Sequence, residues 1–384
     1  MSEKERTAAQ LIEKFDLHTR LRRFTDIRTN PSISLPTILM CLLLMPVLYL
    51  PSMLAVDRVA RRKWLKRLFG SPRRMVTSDS TLRRALSWLS ARELEQCMRS
   101  VVRTLAEHRL LSIRLADGRP KRRMAVVDGT YMGGHWMAIA TLVGAITAAV
   151  KLRRCRGQGW ERREGRRLIE EISALGETAV ELVLLDALYF DAATFELTRR
   201  HGLDLLVKSQ EAGYRKVTAD AANYIDNCGA DVGDSGYDDH RLCRWSVEVT
   251  TGSFGGYAVQ VARLTEHFST TGEQRQCWIT TTDLSLAPAE LREAAHRRWA
   301  IETYFKQLNA SVQTKRFALH DAKAFTAMLT LVCIGTALAD AARAIIARRP
   351  LLAKRFLDGE KPTRQTWMMR MVECLPEGVF AFLL

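Results

Sequence analysis

Apolar residues recur at helical spacing through roughly the first 110 positions of the chain. This periodicity runs through Leu11–Phe24, Leu39–Leu54, Trp64–Phe69 and Leu82–Leu89. Ser78 begins a polar stretch that offers N-cap residues for the last of these segments. The pattern predicts a helical N-terminal domain over residues 1–120.

The pattern changes at Lys121, where short apolar runs replace the helical spacing. Strands are predicted at Met124–Asp128, Trp136–Val143, Ala148–Leu152, Ala179–Asp186 and Leu203–Val207. Between them, helical spacing covers Trp160–Leu175 and Ala192–His201. This order predicts a mixed sheet with helices, the first part of an α/β domain over residues 121–210.

Glycine-rich sequence with β-prone runs interrupts the α/β pattern over residues 211–276. Ser246–Thr251 and Tyr257–Leu264 are two of these runs, so we expect a β-rich insertion. The α/β pattern resumes over residues 277–350. There it predicts a strand at Trp278–Thr282, one long helix at Pro288–Asn309 and an apolar helix at Ala322–Ala347. Residues 351–384 are predicted to form a helical tail.

One apolar segment, Pro36–Val56, is long enough to cross a membrane, with 21 residues and no charge. Pro46 and Pro51 interrupt it, and its two flanks are basic or polar alike. We therefore interpret it as two buried helices around a proline break, with a membrane span as the alternative. No membrane partner is expected.

The charge of the chain is concentrated in its N-terminal third. The formal net charge is +16, and residues 1–124 hold 26 Lys and Arg against 11 Asp and Glu. This bias favours a polyanionic partner such as DNA, and a solubilising surface is the alternative. A basic run from Lys151 to Arg167, which includes Arg153 and Arg154, is a second candidate for contact with the DNA backbone.

Eight cysteines are scattered along the chain without a Cys-x-x-Cys pair. This spacing indicates neither a zinc site nor a disulfide framework, and free thiols are typical of a reducing compartment. The first ten residues, MSEKERTAAQ, lack the apolar core of a signal peptide. We expect a cytoplasmic protein.

Three acidic residues carry the candidate chemistry. Asp128 and Asp186 each end a predicted strand, which suits rigid functional groups, although either could simply cap the following turn. Glu302 shares one stripe of the predicted long helix with Arg298, Lys306 and Asn309. An ordinary amphipathic helix with an exposed Glu302–Lys306 pair is the alternative.

Carboxylates without clustered His or Cys ligands suit hard cations that prefer oxygen ligands. The candidate cofactor is therefore Mg²⁺ or Mn²⁺. Two such ions can activate a water or a 3′-hydroxyl and stabilise the leaving oxygen of a phosphoryl displacement.

These residues lie in motifs that resemble bacterial insertion-sequence transposases of the DDE superfamily, in the insertion-sequence-four-like group. The resemblance covers most of the chain. It is carried by MAVVDGT around Asp128, LVLLDALYF around Asp186, WITTTDLSLAPAELREAAHRRWAIETYFKQLN around Glu302, and SDSTLRRAL at residues 78–86.

The resemblance implies an RNase-H-like catalytic domain, split by the β-rich insertion, in a bacterial protein associated with the nucleoid. Asp128, Asp186 and Glu302 would be its metal-binding catalytic triad. Arg298 and Lys306 would contact DNA near the scissile phosphate. The expected partners are transposon ends, target DNA and further copies of the chain, as a homodimer or larger multimer.

The chain departs from the family signature at two positions. That signature is Tyr, two residues, Arg, three residues, Glu, six residues and Lys. Here Ala295 stands in place of the Tyr and Asn309 in place of the Lys. Loss of a phosphate-contacting Lys weakens DNA binding more than metal binding. A metal-dependent nuclease without strand transfer and a decayed, DNA-binding regulator are therefore the alternative functions.

Several further residues have two interpretations each. Lys208 follows a predicted strand and either faces the site or is solvated. A structural role is favoured for His135 and His296 over a catalytic one. Trp136 and Trp299 are candidates for base stacking, although core packing is favoured for Trp299.

Overall fold

The structure is a computed structural model. It describes residues 17–47, 50, 52–60, 77–116, 118–175, 180–211, 215–312, 319 and 321–347. The predicted helix at Trp64–Phe69, the start of the predicted helix at Leu11–Phe24 and the predicted tail over 351–384 lie outside these residues.

Helices dominate the described part of the N-terminal region. They are α1 (Leu17–Arg22), α2 (Leu35–Val47), α3 (Met53–Ala60), α4 (Asp79–Trp88) and α5 (Ala91–Glu107). The Ser78 side chain accepts a hydrogen bond from the Thr81 N–H, which confirms the predicted N-cap. Ser90 caps α5 in the same way.

The apolar segment Pro36–Val56 falls on two helices, α2 and α3, as predicted. Pro46 lies within α2, so this proline does not interrupt the helix, in contrast to the predicted break. Buried α2 side chains such as Leu39, Leu42 and Leu43 pack into the protein interior. The segment therefore serves as core.

A nine-stranded mixed sheet forms the centre of the molecule, with the order β5-β4-β3-β6-β7-β11-β10-β9-β8. β3 pairs in parallel with β6, β6 pairs in parallel with β7, and the other neighbours are antiparallel. The predicted mixed α/β architecture is confirmed. The strands are β3 (Met124–Met132), β4 (His135–Val143), β5 (Thr147–Arg154), β6 (Leu182–Asp186), β7 (Asp204–Ser209), β8 (Val232–Asp238), β9 (Cys243–Phe254), β10 (Tyr257–Phe268) and β11 (Gln274–Thr281).

A small two-stranded ribbon precedes the sheet. β1 (Ile113–Arg114) pairs antiparallel with β2 (Lys121–Arg122). β1 lies within residues 1–120, which were predicted to be wholly helical. That region therefore ends in a short β element, and the prediction was wrong there. Two residues per strand are too few to show the alternation by which strands are recognised in a sequence.

Helices cover the sheet. They are α6 (Glu161–Ser173), α7 (Ala192–Arg200), α8 (Lys216–Cys228), α9 (Pro288–Arg298), α10 (Ala300–Val312) and α11 (Ala322–Ala347), with a 3₁₀ turn at Ala187–Tyr189. Asp128 reaches Arg298 of α9, whereas the next residue, Gly129, faces Glu161 of α6. Successive residues of a strand point to opposite faces, so α6 and α9 lie on opposite sides of the sheet.

The predicted β-rich insertion contributes strands to this same sheet. β8, β9 and β10 follow one another at the sheet edge, and β11 pairs with both β10 and β7. α8 precedes β8, so the segment is not purely β. The domain boundaries near residues 120, 210 and 276 stay a prediction.

The prediction of one continuous helix over Pro288–Asn309 was wrong, because the structure has two helices there. Trp299 separates α9 from α10. Its N–H donates to the His296 carbonyl at 3.0 Å, and the Glu302 N–H donates to the Trp299 carbonyl at 3.1 Å. Both bonds reach back three residues instead of four, which tightens the turn.

The apolar helix α11 joins the N-terminal helices to the sheet. Its residues 322–345 are, among the described helices, the one segment long and apolar enough to cross a membrane, and 89% of its 18-residue apolar window is buried inside the protein. It packs against α2, α4, α5 and β5. The helical region and the sheet thus share a continuous hydrophobic core.

Gly335→Ala tests the close packing of α11 on α2. An alanine Cβ there would lie 2.5 Å from Cγ of Pro46 and 3.2 Å from the Leu43 carbonyl oxygen. We expect a loss of about 1–3 kcal/mol in the free energy of unfolding, despite the better helix propensity of alanine. Urea denaturation measures it. Gly157→Ala, with no atom within 4 Å of its Cβ, is the control, and equal stability of the two variants would contradict this packing.

Candidate active site

Two aspartates lie side by side on the central parallel strands. Met124 of β3 pairs with Leu182 of β6, and both strands reach an aspartate four residues later. Neighbouring strands are about 4.8 Å apart, so Asp128 and Asp186 occupy adjacent positions at the same level of the sheet. Lys208 is the β7 partner of Asp186, so it extends this row by one strand.

Local backbone bonds orient both carboxylates. Oδ1 of Asp128 accepts a hydrogen bond of 2.7 Å from the Gly129 N–H. Oδ1 of Asp186 accepts one of 3.0 Å from the Leu188 N–H, which caps the 3₁₀ turn. The aspartate thus does cap its turn, as the structural alternative predicted, and it also faces the site. Capping and a functional role are compatible because each carboxylate has a second oxygen.

Glu302 reaches the same place from α10, through Arg298 at the end of α9. The Arg298 guanidinium donates from Nη2 to Oε1 of Glu302, and Nη1 lies 3.6 Å from Oδ2 of Asp128. Arg298 is buried. A single buried guanidinium therefore connects the acid on the helix with the acids on the sheet.

The two aspartates are electrostatically strained. Burial, followed by repulsion from Asp186, raises the pKa of Asp128 to about 7, although Arg298 and the Gly129 N–H act in the opposite direction. Burial also raises the pKa of Asp186, with Arg298 opposing and Glu302 adding repulsion. Half-buried like charges on neighbouring strands are typical of functional sites, because their repulsion would destabilise a core that has no function.

The donor set fits a divalent metal ion once Glu302 turns away from Arg298. As the side chains stand, no group of three His, Cys, Asp or Glu residues in the described ranges is arranged to hold a metal. The Glu302 side chain is 42% exposed, so it has room to rotate. The available donors are carboxylate oxygens, the ligands that Mg²⁺ and Mn²⁺ prefer.

Trp299 and Lys208 flank the acids. Trp299 is 45% exposed, so the prediction that it packs in the core was wrong. Its place at the junction of α9 and α10 turns it outward, and Nζ of Lys208 lies 5.1 Å from its ring centroid. A cation over an indole face is a favourable contact. Lys208 therefore faces the site, which was the first of the two interpretations given for this residue.

The other predicted DNA-binding residues are more dispersed. Lys306 is exposed one helical turn beyond Glu302, and Asn309 is half-buried on the same helix. Arg153 is bonded to Glu171 and lies 3.6 Å from Glu164, whereas Arg154 is exposed. Both arginines are on β5, two strands from β3 and thus roughly 10 Å from it.

Both histidines have structural partners, in line with the favoured interpretation. Nε2 of His135 lies 3.2 Å from the Leu319 carbonyl oxygen, and its ring packs on Phe325. Nε2 of His296 lies 2.9 Å from Oε1 of Glu266. Trp136 packs against Tyr131, with ring centroids 5.0 Å apart.

One acid near the site was not anticipated from the sequence. Glu161, the first residue of α6, is buried, and its charge contributes to the raised pKa of Asp186. A Cβ on Gly129 would lie 2.8 Å from Cβ and 2.4 Å from Cγ of Glu161, so glycine is needed for this approach. The only sequence signal is an acid at a helix start, which is common for helix-dipole reasons alone.

Residues 137–338, just over half of the chain, match the family model of the transposase DDE domain. The chain belongs to the DDE transposase family. The match includes Asp186 and Glu302, and it begins nine residues after Asp128. The central sheet is accordingly the RNase-H-like sheet of a transposase. Such an enzyme performs divalent-metal-dependent phosphoryl transfer on DNA.

A search of the curated proteins gives no match. Among solved structures, the chain is similar to a piggyBac transposase synaptic complex with hairpin DNA, determined by cryo-EM. The TM-score is 0.42 and the sequence identity is 8%, over 99% of this chain and 80% of that chain.

Asp128→Asn is expected to stabilise the transposase in the absence of metal. The substitution removes one of two half-buried like charges and keeps an oxygen that can accept a hydrogen bond from the Gly129 N–H. The free energy of unfolding should rise by about 1–2 kcal/mol in EDTA. Thermal denaturation measures this change. A variant less stable than the wild type would show that the Arg298 contact outweighs the repulsion.

We expect the protein to lose stability in acid as Glu266 becomes protonated. Burial alone would raise its pKa, but bonds and charge from His296 and Arg292 outweigh burial and lower the pKa to about 2, from 4.5. Because the folded-state pKa lies below the unfolded one, this stabilisation is complete above about pH 4.5 and declines toward pH 2. Glu266→Gln should cost about 1–3 kcal/mol at pH 7 and less at pH 3.5. Urea denaturation of both proteins at the two pH values measures the difference, and a pH-independent cost would contradict it.

Proposed function

We propose that Asp128, Asp186 and Glu302 are the catalytic triad of this transposase and hold two Mg²⁺ or Mn²⁺ ions. The observation that carries the proposal is the convergence of acids from β3, β6 and α10 around the buried guanidinium of Arg298. Two ions so held would supply the activation of a water or 3′-hydroxyl and the stabilisation of the leaving oxygen at the scissile phosphate.

Arg298 acts as the internal counter-charge of the site. It lowers the pKa of both aspartates, so it offsets part of their repulsion in the metal-free protein. Once cations neutralise the carboxylates, its guanidinium is available to a DNA phosphate, for which its planar fork of donors is suited. Metal binding and phosphate binding at this site are therefore coupled.

Lysines surround the triad on two sides and would position the DNA strand. Lys208 lies in the same row as Asp186, and Lys306 is exposed one turn beyond Glu302. Such contacts fix the register of DNA without reading its sequence. Arg153 and Arg154 would meet DNA farther from the scissile phosphate, and Arg153 would first have to leave its own ion pairs.

The two departures from the family signature are compatible with activity. Ala295 is fully buried on α9, away from the exposed rim of the site. Asn309 is half-buried on α10, and its uncharged amide can still donate to a phosphate. The Asn309 departure removes one positive charge, so its main consequence is a weaker electrostatic attraction to DNA.

The wider proposal follows the family resemblance. The transposase would act on transposon ends and target DNA as a homodimer or larger multimer, in the cytoplasm of a bacterium and close to its nucleoid. The insertion-sequence-four-like group is its proposed subgroup. Residues 1–120 would grip DNA, residues 121–210 and 277–350 would form the catalytic domain, and residues 211–276 would be its insertion.

Cleavage and strand transfer on the element's own end DNA, with Mg²⁺ or Mn²⁺, test this function. Wild-type protein should yield cleaved and joined products, and Glu302→Gln should yield neither at detectable level. Glu293→Gln is the matched control, because Glu293, nine residues earlier on α9, forms a similar ion pair with Arg297 at 2.6 Å. It should keep activity within about twofold, as exposed ion pairs contribute little.

Other outcomes of this assay assign the alternatives. Cleavage without joined products would identify a nuclease. Binding of end DNA without any cleavage by the wild type would identify a decayed, DNA-binding regulator. Activity retained in Glu302→Gln would remove Glu302 from the triad.

A further inference from the structure

A strip of exposed basic side chains lies away from the acids, on α5 and the two-stranded ribbon. Three of its members are on α5, one follows that helix, and two are on β1 and β2. We call these residues the basic strip: Arg92, Arg99, Arg103, Arg109, Arg114 and Lys121.

The α5 members form one line along the helix. Arg92, Arg99 and Arg103 are spaced by seven and four residues, which places them on one face. The opposite face is buried through residues such as Leu94 and Val101. This line is about 16 Å long at 1.5 Å per residue, so it can follow several phosphates of one DNA strand.

The ribbon brings two like charges face to face. Arg114 on β1 and Lys121 on β2 are direct cross-strand partners. Side chains at such positions are about 4.5–5.5 Å apart at Cβ, and like charges there destabilise the pair. Both residues are exposed, and neither forms an ion pair with any residue in the described ranges. An anion bound between them would remove the repulsion.

A cleft joins the helix to the ribbon. It has a volume of about 410 Å³ and is lined by Arg103, Arg109, Lys121 and Arg123, with Glu107 as the acid in its lining. The lining therefore carries four cationic side chains and one carboxylate. A concave basic surface of this kind concentrates anions and suits a phosphodiester backbone.

We propose that the basic strip binds the phosphate backbone of duplex DNA at a fixed distance from the triad. The proposal rests on the proposed function in that it takes transposon-end DNA as the ligand. Lys121 precedes Asp128 by seven residues of mostly extended chain, roughly 20 Å. At about 3.4 Å per base pair, the contacted phosphates lie about six base pairs from the scissile one.

Salt-dependent binding of the full-length protein tests the strip without any catalysis. The probe is a fluorescein-labelled 30-base-pair duplex carrying one transposon end, titrated in EDTA at 50–300 mM KCl. The triple variant Arg99→Gln, Arg103→Gln, Arg114→Gln should bind at least about tenfold more weakly at 100 mM KCl. Its slope of log affinity against log salt should be smaller by about 2.7, or 0.9 per lost phosphate contact.

A control of equal charge separates contact from net charge. Arg199→Gln, Arg200→Gln, Arg244→Gln removes three exposed cations from α7 and β9, and it should keep the wild-type slope. Equal affinities and slopes for the two triple variants would overturn the proposal. Because no metal is present, this result is independent of whether the wild type cleaves DNA.

Two further measurements guard against misfolding and locate the contact. Arg114→Gln alone should melt at or above the wild-type temperature, because it relieves the repulsion with Lys121. Ethylation of phosphates about six base pairs from the transposon end should interfere with wild-type binding and not with binding by the triple variant. Interference confined to phosphates next to the scissile position would refute the placement.

Discussion

The parallel pairing of β3 with β6 is the constraint on which the site depends. It sets Asp128 and Asp186 at the same level of neighbouring strands, about 4.8 Å apart. Placing these two half-buried carboxylates on neighbouring strands opposes folding. Burial and repulsion from Asp186 raise the pKa of Asp128, whereas burial and repulsion from Glu302 raise the pKa of Asp186. Arg298 offsets part of this unfavourable free energy, and burial of the large hydrophobic core around the sheet and α11 compensates for the remainder.

The third acid depends on the far side of the sheet. After β7 the chain leaves through α8, β8, β9 and β10, and β11 returns it to pair with β7. That pairing starts α9 next to the central strands, so Arg298 and then Glu302 arrive beside Asp128. The β-rich segment thus has a structural role, because it brings the chain back to pair with β7, the strand after which the segment begins.

Much of this arrangement could be predicted from the sequence because it is written in local patterns. The strand that ends at Asp186, the N-cap at Ser78 and the apolar helix from Ala322 all follow from residue spacing. The predicted end of the first strand at Asp128 was wrong, because β3 continues to Met132 as one arm of the hairpin with β4. The mixed sheet follows from their order. The partners of β11 could not be predicted, because strand pairing depends on distant segments with similar apolar patterns.

The errors concern contacts that a single segment does not reveal. The tightened turn at Trp299 separates two helices that share one continuous periodic pattern, and it turns the indole outward. The approach of Glu161 to Gly129 joins residues 32 positions apart. Predicting the repulsion between Arg114 and Lys121 requires the strand register, and strands of two residues are too short for the register to be recognised in the sequence.

We propose that the carboxylates around Arg298 form a two-metal site. Electron paramagnetic resonance of free Mn²⁺ during titration of the DNA-bound protein, with wild type and Asp186→Asn, tests it most directly. We expect two bound ions per chain in the wild type and at most one in the variant. An unchanged number of bound ions in Asp186→Asn would contradict it.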